Sequence, residues 1–233
     1  MNTFSKYSLA LGVVSALALM ASPAHAVVTY ATDSTLQSNI PSLTGFATTG
    51  AMMDGMGVAV TFASGFTQTL AWADTGASSG GVTGNGWSLN LTGDTFSALW
   101  NFSNTRAEQI TQLVLTGNTG FTVFDRTNPS FGTDGSAQGR DLVFQDAGID
   151  ALVTYSDEVA VIPNAPVGDL WHTVTVAFQN NTGPRGDFTF QQDTDNDSRI
   201  NDVPEPAILS LFGVGLLGAS VMRRASKKVC FSS

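Results

Sequence analysis

From Gly57 onward the apolar residues of this chain fall at every second position, and that period leaves little room for anything but β-strands. Val58, Val60 and Phe62 share one face; Phe66, Leu70 and Trp72 share another; Trp87, Leu89 and Leu91 follow, then Phe96, Ala98, Trp100 and Phe102. The alternation returns at Phe121–Phe124, Ala151–Tyr155, Trp171–Gln179 and Asp187–Gln191. Successive side chains of a strand point to opposite faces, so this pattern describes half-buried antiparallel strands. Gly80-Gly81, Asn85-Gly86 and Asp134-Gly135 supply turn residues that tolerate positive φ. Only Asn104–Leu115 has a helical look, and Ile110–Leu115 reads equally well as a strand. Residues 27–56, rich in Thr, Ser, Gly and Ala, read as an edge strand or an extended lead-in. About ten short strands in this length predict an all-β fold, an antiparallel β-sandwich of jelly-roll-like type.

The two ends follow other rules. Lys6, the apolar run Leu9–Met20, and Ala24 and Ala26 in A-x-A spacing make the three parts of a secretory signal, with cleavage expected before Val27. Near the other end, Val203-Pro204-Glu205-Pro206 precedes Ala207–Met222, which carries no charge, and the basic residues Arg223, Arg224, Lys227 and Lys228 follow. At about 1.5 Å per helical residue that apolar segment reaches roughly 24 Å, a slightly short membrane span. The basic cluster stays cytoplasmic by the positive-inside rule, which leaves everything before Pro204 outside that membrane. Proline on both sides of Glu205 holds the motif extended and out of the helix, where a peptidase can reach it.

Pro-Glu-Pro, a short apolar span and an Arg-rich tail together resemble the PEP-CTERM sorting signal, over residues 203 to 228. The resemblance implies recognition and cleavage by an exosortase, an integral-membrane thiol peptidase, near Pro204–Pro206. It also implies an inner-membrane-anchored precursor in a Gram-negative host that makes exopolysaccharide. Val229–Ser233, beyond the basic cluster, is a small departure. Trp72-Ala-Asp-Thr-Gly, Gly84-Asn-Gly-Trp-Ser-Leu, Gly139-Arg-Asp and Ala165-Pro-Val-Gly-Asp-Leu resemble the core of other PEP-CTERM proteins of unknown function, and bring no activity with them. The expected organisation is therefore a signal peptide at 1–26, a β-sandwich at 27–192, an acidic linker at 193–202, and the sorting signal at 203–228 with its transmembrane helix at 207–222.

Charge and composition exclude whole classes. All nineteen acidic residues lie in Val27–Glu205 against five arginines, and no lysine occurs between Lys6 and Lys227. A body this acidic repels phosphate, so nucleic-acid binding is out. The one cysteine, Cys230, falls in the tail that sorting would discard, which leaves the mature domain without thiol or disulfide. His172 is the one histidine beyond the signal peptide. It shares an expected strand face with Val174, Val176 and Phe178 and reads as a hydrogen-bonded core residue.

The strongest candidate for chemistry is Asp193, Asp195 and Asp197, whose alternate carboxylates could fold as a tight loop around Ca²⁺. Ser198 in place of the turn glycine and Pro204 at the twelfth position argue against an EF-hand, and a solvated acidic linker is the competing reading. Asp74-Thr-Gly, with Gly139-Arg140-Asp141-Leu142, resembles the motifs of aspartic peptidases, which need two aspartates sharing a proton. Asp157-Glu158 reads as a solvated turn. The four tryptophans read as core, with a sugar-stacking platform as the alternative. The preferred function is a non-catalytic surface or biofilm-matrix protein, processed by signal peptidase and exosortase. A calcium-assisted carbohydrate-binding module comes second, and a peptidase using Asp74 is the remote third.

Overall fold

The computed structural model describes residues 27–44, 47–127 and 139–198. The expected signal peptide, the sorting signal with its expected transmembrane helix, and Asp134-Gly135 lie outside the described residues. The described residues form fifteen strands and two short 3-10 turns. The strands are β1 (Val28–Ile40), β2 (Leu43–Thr44), β3 (Gly57–Phe62), β4 (Thr67–Ala71), β5 (Ala73–Gly76), β6 (Ser79–Thr83), β7 (Trp87–Thr92) and β8 (Trp100–Asn104). They continue as β9 (Ile110–Thr116), β10 (Thr122–Asp125), β11 (Val143–Phe144), β12 (Ala151–Val161), β13 (Leu170–Phe178), β14 (Phe188–Gln191) and β15 (Asp193–Asp197).

Two sheets result. In the larger, β13 is the pivot: β12 runs along one edge, and the other edge is divided between two partners. Leu170 and Trp171 pair with β10, which leads to β15 and β2, while Thr173–Ala177 pair with β9, which leads to β3 and β4. The smaller sheet runs β11-β14-β8-β7-β6-β5. Every pairing is antiparallel except one, because β1 lies parallel to β12, with Val28 opposite Ala151 and Ile40 opposite Val161. A parallel neighbour needs a long crossover, and here the whole chain from 41 to 150 supplies it.

One core lies between the sheets. Val58, Val60, Leu113, Leu115, Val153 and Val176 come from the larger sheet; Leu89, Leu91, Trp100, Phe102, Phe188 and Phe190 come from the smaller. Its centre is aromatic. Trp100 lies 5.3 Å from Trp72 and 5.6 Å from Phe190, and Phe102 stacks on Phe188 at 4.8 Å between ring centroids. A buried ring removes some 150–250 Å² from water, about 4–6 kcal/mol of gross transfer free energy, so these few side chains dominate the fold's stability. A second, smaller cluster of Ile40, Val123, Val159, Val161 and Leu170 covers the reverse face of β10.

Several expectations need correction. The Asn104–Leu115 segment is not helical; its second half is β9. Phe96 and Ala98 sit in a turn, and Phe96 is exposed, because the chain bends between β7 and β8 after Gly93 (φ +101°). Asp157-Glu158 is no turn: both lie within β12, Asp157 at φ +59° beside the register shift opposite Asp33–Gln37. Gly80-Gly81 is not a turn either but the middle of β6. A Cβ on Gly80 would meet the carbonyl of Gly50 and the indole nitrogen of Trp72, which donates to Gly50 O at 2.8 Å. Glycine is there so that β6 can pass directly beneath the 3-10 turn Gly50–Met53.

That packing predicts a contrast. Gly80→Ala should lower unfolding free energy by about 2–3 kcal/mol, since the obstructing atoms are backbone and a buried indole. Gly186→Ala, where a Cβ meets nothing within 4 Å, should change it by less than about 1 kcal/mol. Chemical denaturation of the two variants measures both.

Candidate functional site

The region with the most concentrated polar chemistry is the end of the folded body, where the chain leaves toward the sorting motif. β14 belongs to the smaller sheet and β15 to the larger, so Gln192 alone carries the chain from one to the other. It is fully buried and fully engaged. Its side-chain amide donates to Arg140 O at 3.1 Å and Asp193 O at 2.8 Å, its side-chain oxygen accepts from Tyr155 OH at 2.6 Å, and its backbone carbonyl accepts from Trp100 Nε1 at 3.0 Å. Tyr155 OH also accepts from the Leu142 backbone N–H at 2.8 Å. Burial pushes the Tyr155 phenol far above its ordinary pKa, so it stays a neutral donor.

Past Gln192 the chain is locked, not loose. β15 pairs with β10 on one edge and β2 on the other, and all five of its residues are buried. Thr194 and Asn196 face the 48–53 segment: Asn196 accepts from Thr48 Oγ1 at 2.9 Å and donates to Met52 O at 3.0 Å. Asp195 is paired with Val123 and Asp197 with Leu43, both of which pack with the smaller apolar cluster. Ser198 N donates to Ser42 O at 3.0 Å. The expected boundary at 192 and the acidic linker from 193 are therefore corrected: the folded body continues to Ser198. The tight calcium loop is corrected with it. Residues 193–197 run as an extended strand, not as a loop that turns successive carboxylates inward. Among the described residues no group of three or more His, Cys, Asp or Glu is placed to hold a metal ion.

Asp193 is the residue of β15 whose chemistry is most altered. Its Oδ1 accepts from Thr95 Oγ1 at 3.0 Å and from Thr194 N at 2.9 Å. Burial pushes its carboxyl up to about 6; the two hydrogen bonds and Arg140 oppose that rise, and Asp94 adds to it.

The other candidates disperse. All four tryptophans are buried, Trp87 at 3 % exposure being the most accessible, so none offers a face to a sugar. Asp74 sits in β5, whose four residues are all exposed at the edge of the smaller sheet, and it caps its own turn by accepting from Gly76 N at 2.9 Å. Asp141 is held by Arg126 at 2.7 Å, and the same guanidinium lies over the Tyr155 ring at 4.4 Å. His172 is buried, its Nδ1 3.2 Å from Asp157 Oδ2, while Ser38 donates to Asp157 Oδ1 at 2.7 Å. Asp157 thus joins β1, β12 and β13. A cleft of about 220 Å³ lies beside Trp87, lined by Thr83, Ser88, Ser103 and Thr105 with Gly84 and Gly86, and no titratable group faces it.

Residues 202–225 match the PEP-CTERM protein-sorting motif. No curated protein and no solved structure matches the chain. The chain carries that sorting motif, and the motif marks it as an exosortase-processed exported protein made as a membrane-anchored precursor. Sequence reasoning missed Gln192. Its signal was present as the period-two series Phe188, Phe190, Gln192, Thr194, Asn196, hidden because its last three members are polar.

The buried carboxyl yields a signed prediction. A pKa raised on folding means the folded state prefers protonated Asp193, so its contribution to stability is complete below about pH 4 and is lost as pH rises through 6. Over that window the loss is on the order of 3 kcal/mol. Asp193→Asn keeps the acceptor and removes the charge. Urea unfolding should show the variant more stable than wild type at pH 7.5, with the difference vanishing near pH 4.

Proposed function

We propose that this chain is a non-catalytic surface or extracellular-matrix protein of a Gram-negative bacterium, associated with exopolysaccharide. Residues 1–26 direct export and are removed before Val27. Residues 207–222 then hold the precursor in the inner membrane, with Arg223, Arg224, Lys227 and Lys228 on the cytoplasmic side, until exosortase cuts near Pro204-Glu205-Pro206. The body that is released is a β-sandwich.

The observation that carries this reading is the sorting motif at 202–225, placed directly after a body that stays folded to Ser198. Val203 lies five residues beyond Ser198, so its Cα is within about 18 Å of the folded body whatever path the chain takes. The peptidase and the body must therefore meet at close range. A net charge of −14 over 27–205 keeps that body from collapsing onto anionic lipid while the precursor waits. The non-catalytic part is supported by what became of the candidate groups: Asp141 bound by Arg126, His172 buried against Asp157, Asp74 capping a turn. The carbohydrate-module alternative is favoured by no observation, its tryptophans being in the core.

The test is the mass of the chain recovered from its host and from an exosortase-deficient strain. Wild type should lose the segment after the Pro-Glu-Pro motif and leave the membrane fraction. Glu205→Ala, like wild type in the deficient strain, should remain uncut and membrane-bound. Identical processing in both strains would reject the reading.

A further inference from the structure

Val27 is gripped at both of its backbone ends. Its N–H donates to Asp150 Oδ1 at 2.8 Å, and its carbonyl accepts from Ala151 N at 3.1 Å. Asp150 is itself held in place by the turn after β13: its second carboxylate oxygen accepts from Asn180 Nδ2 at 3.2 Å, its N–H donates to Thr182 Oγ1 at 2.8 Å, and its carbonyl accepts from Gln179 N at 2.8 Å. Asn180 and Asn181 both adopt positive φ, +51° and +57°, to make that turn. A carboxylate oriented this carefully is a strong acceptor for one neutral amide proton. It is better matched to an ammonium, which brings a full charge and three protons to the same point.

We propose that Asp150 is the docking site for the α-ammonium created when residues 1–26 are removed, an ion pair that pins β1 to β12 in the processed chain. The proposal rests on the reading that cleavage falls before Val27. On cleavage the nitrogen changes from amide to ammonium without having to move. The pair matters because β1 buries almost no side chain to fix its position. Of its thirteen residues only Ile40, at the far end, is buried. Its first half is held by the backbone pairs from Val28↔Ala151 to Asp33↔Ser156 and by Tyr30 OH on Leu142 O at 2.8 Å, and its second half, beyond the register shift, by the backbone pairs from Gln37↔Glu158 to Ile40↔Val161 with Gln37 on Glu158 and Ser38 on Asp157. A strand slipped by one residue exchanges its faces, so a charged clamp on the first residue sets the register for those that follow. The groups acting on Asp150 are the Val27 N–H and the Asn180 amide, which hold its carboxyl below the ordinary value; no other charge contributes. By reciprocity the carboxylate raises the α-amine above its ordinary range of about 7.7–8.0.

The chain simplifies its own test. With no lysine between Lys6 and Lys227, the α-amine is the single primary amine of a chain cut at both signals. The processed protein is recovered from its host, its first residue is read by N-terminal sequencing, and amine acylation is followed against pH. The expected α-amine titrates about one unit above the ordinary range. In Asp150→Asn it returns to that range and labels roughly sevenfold faster at pH 7.5, with faster hydrogen exchange in residues 28–33. A first residue other than Val27 would overturn the processing reading and the ion pair together. A first residue of Val27 with a wild-type α-amine at 8.0 or below would overturn the ion pair and leave the processing reading intact, whether or not the variant folds.

Discussion

The two sheets of this protein are joined by a crossing one residue long, and the polar atoms of that residue must be satisfied in a place water does not reach. Gln192 meets the demand by drawing partners from four segments: Trp100 and Tyr155 from opposite sheets, Arg140 from the loop before β11, and Asp193 from the next strand. A buried amide left unpaired costs about 1–3 kcal/mol per group, so these contacts hold one another in place. Tyr155 must stay neutral to donate, Leu142 N–H must approach its oxygen, and Arg126 covers its ring while binding Asp141. β15 can enter the larger sheet because this seam is closed, and the small apolar cluster around Val123 is covered because β15 is there.

What could be read from the amino-acid order follows from this. Where alternate residues were apolar, as in Val58–Phe62, Trp87–Leu91 and Trp100–Phe102, the strands and their inward faces were legible, and the tryptophans lie where the pattern put them. Where the inward residues are polar, the same period was invisible. Gln192, Thr194 and Asn196 continue the face of Phe188 and Phe190, yet five residues with three aspartates look like a solvated linker. Tertiary contacts reversed that preference, since Thr48, Thr95 and Met52 O supply the partners water would otherwise give. Gly80-Gly81 failed for a related reason: glycine serves a turn or a close approach, and only the position of the Gly50–Met53 turn distinguishes them. The parallel pairing of β1 is a property of topology, and no local pattern encodes it.

The sorting motif was the most legible part of the chain, because a peptidase and a membrane read linear sequence. The structure adds the context of that signal. Both described ends of the body, β1 at its start and β15 at its finish, are strands of the larger sheet, so each expected processing event occurs beside the same layer. A body without cysteine makes no disulfide, so its fold rests on the apolar core and on the buried polar seam.

The central claim is that β15 is an integral strand of the fold. Hydrogen exchange followed by mass spectrometry on the intact chain tests it most directly, comparing the amides of 193–197 with those of β13. The account predicts that both exchange slowly and lose protection together as denaturant is raised. Amides at 193–197 that exchange within seconds while β13 stays protected would show a solvated linker, and would contradict the claim.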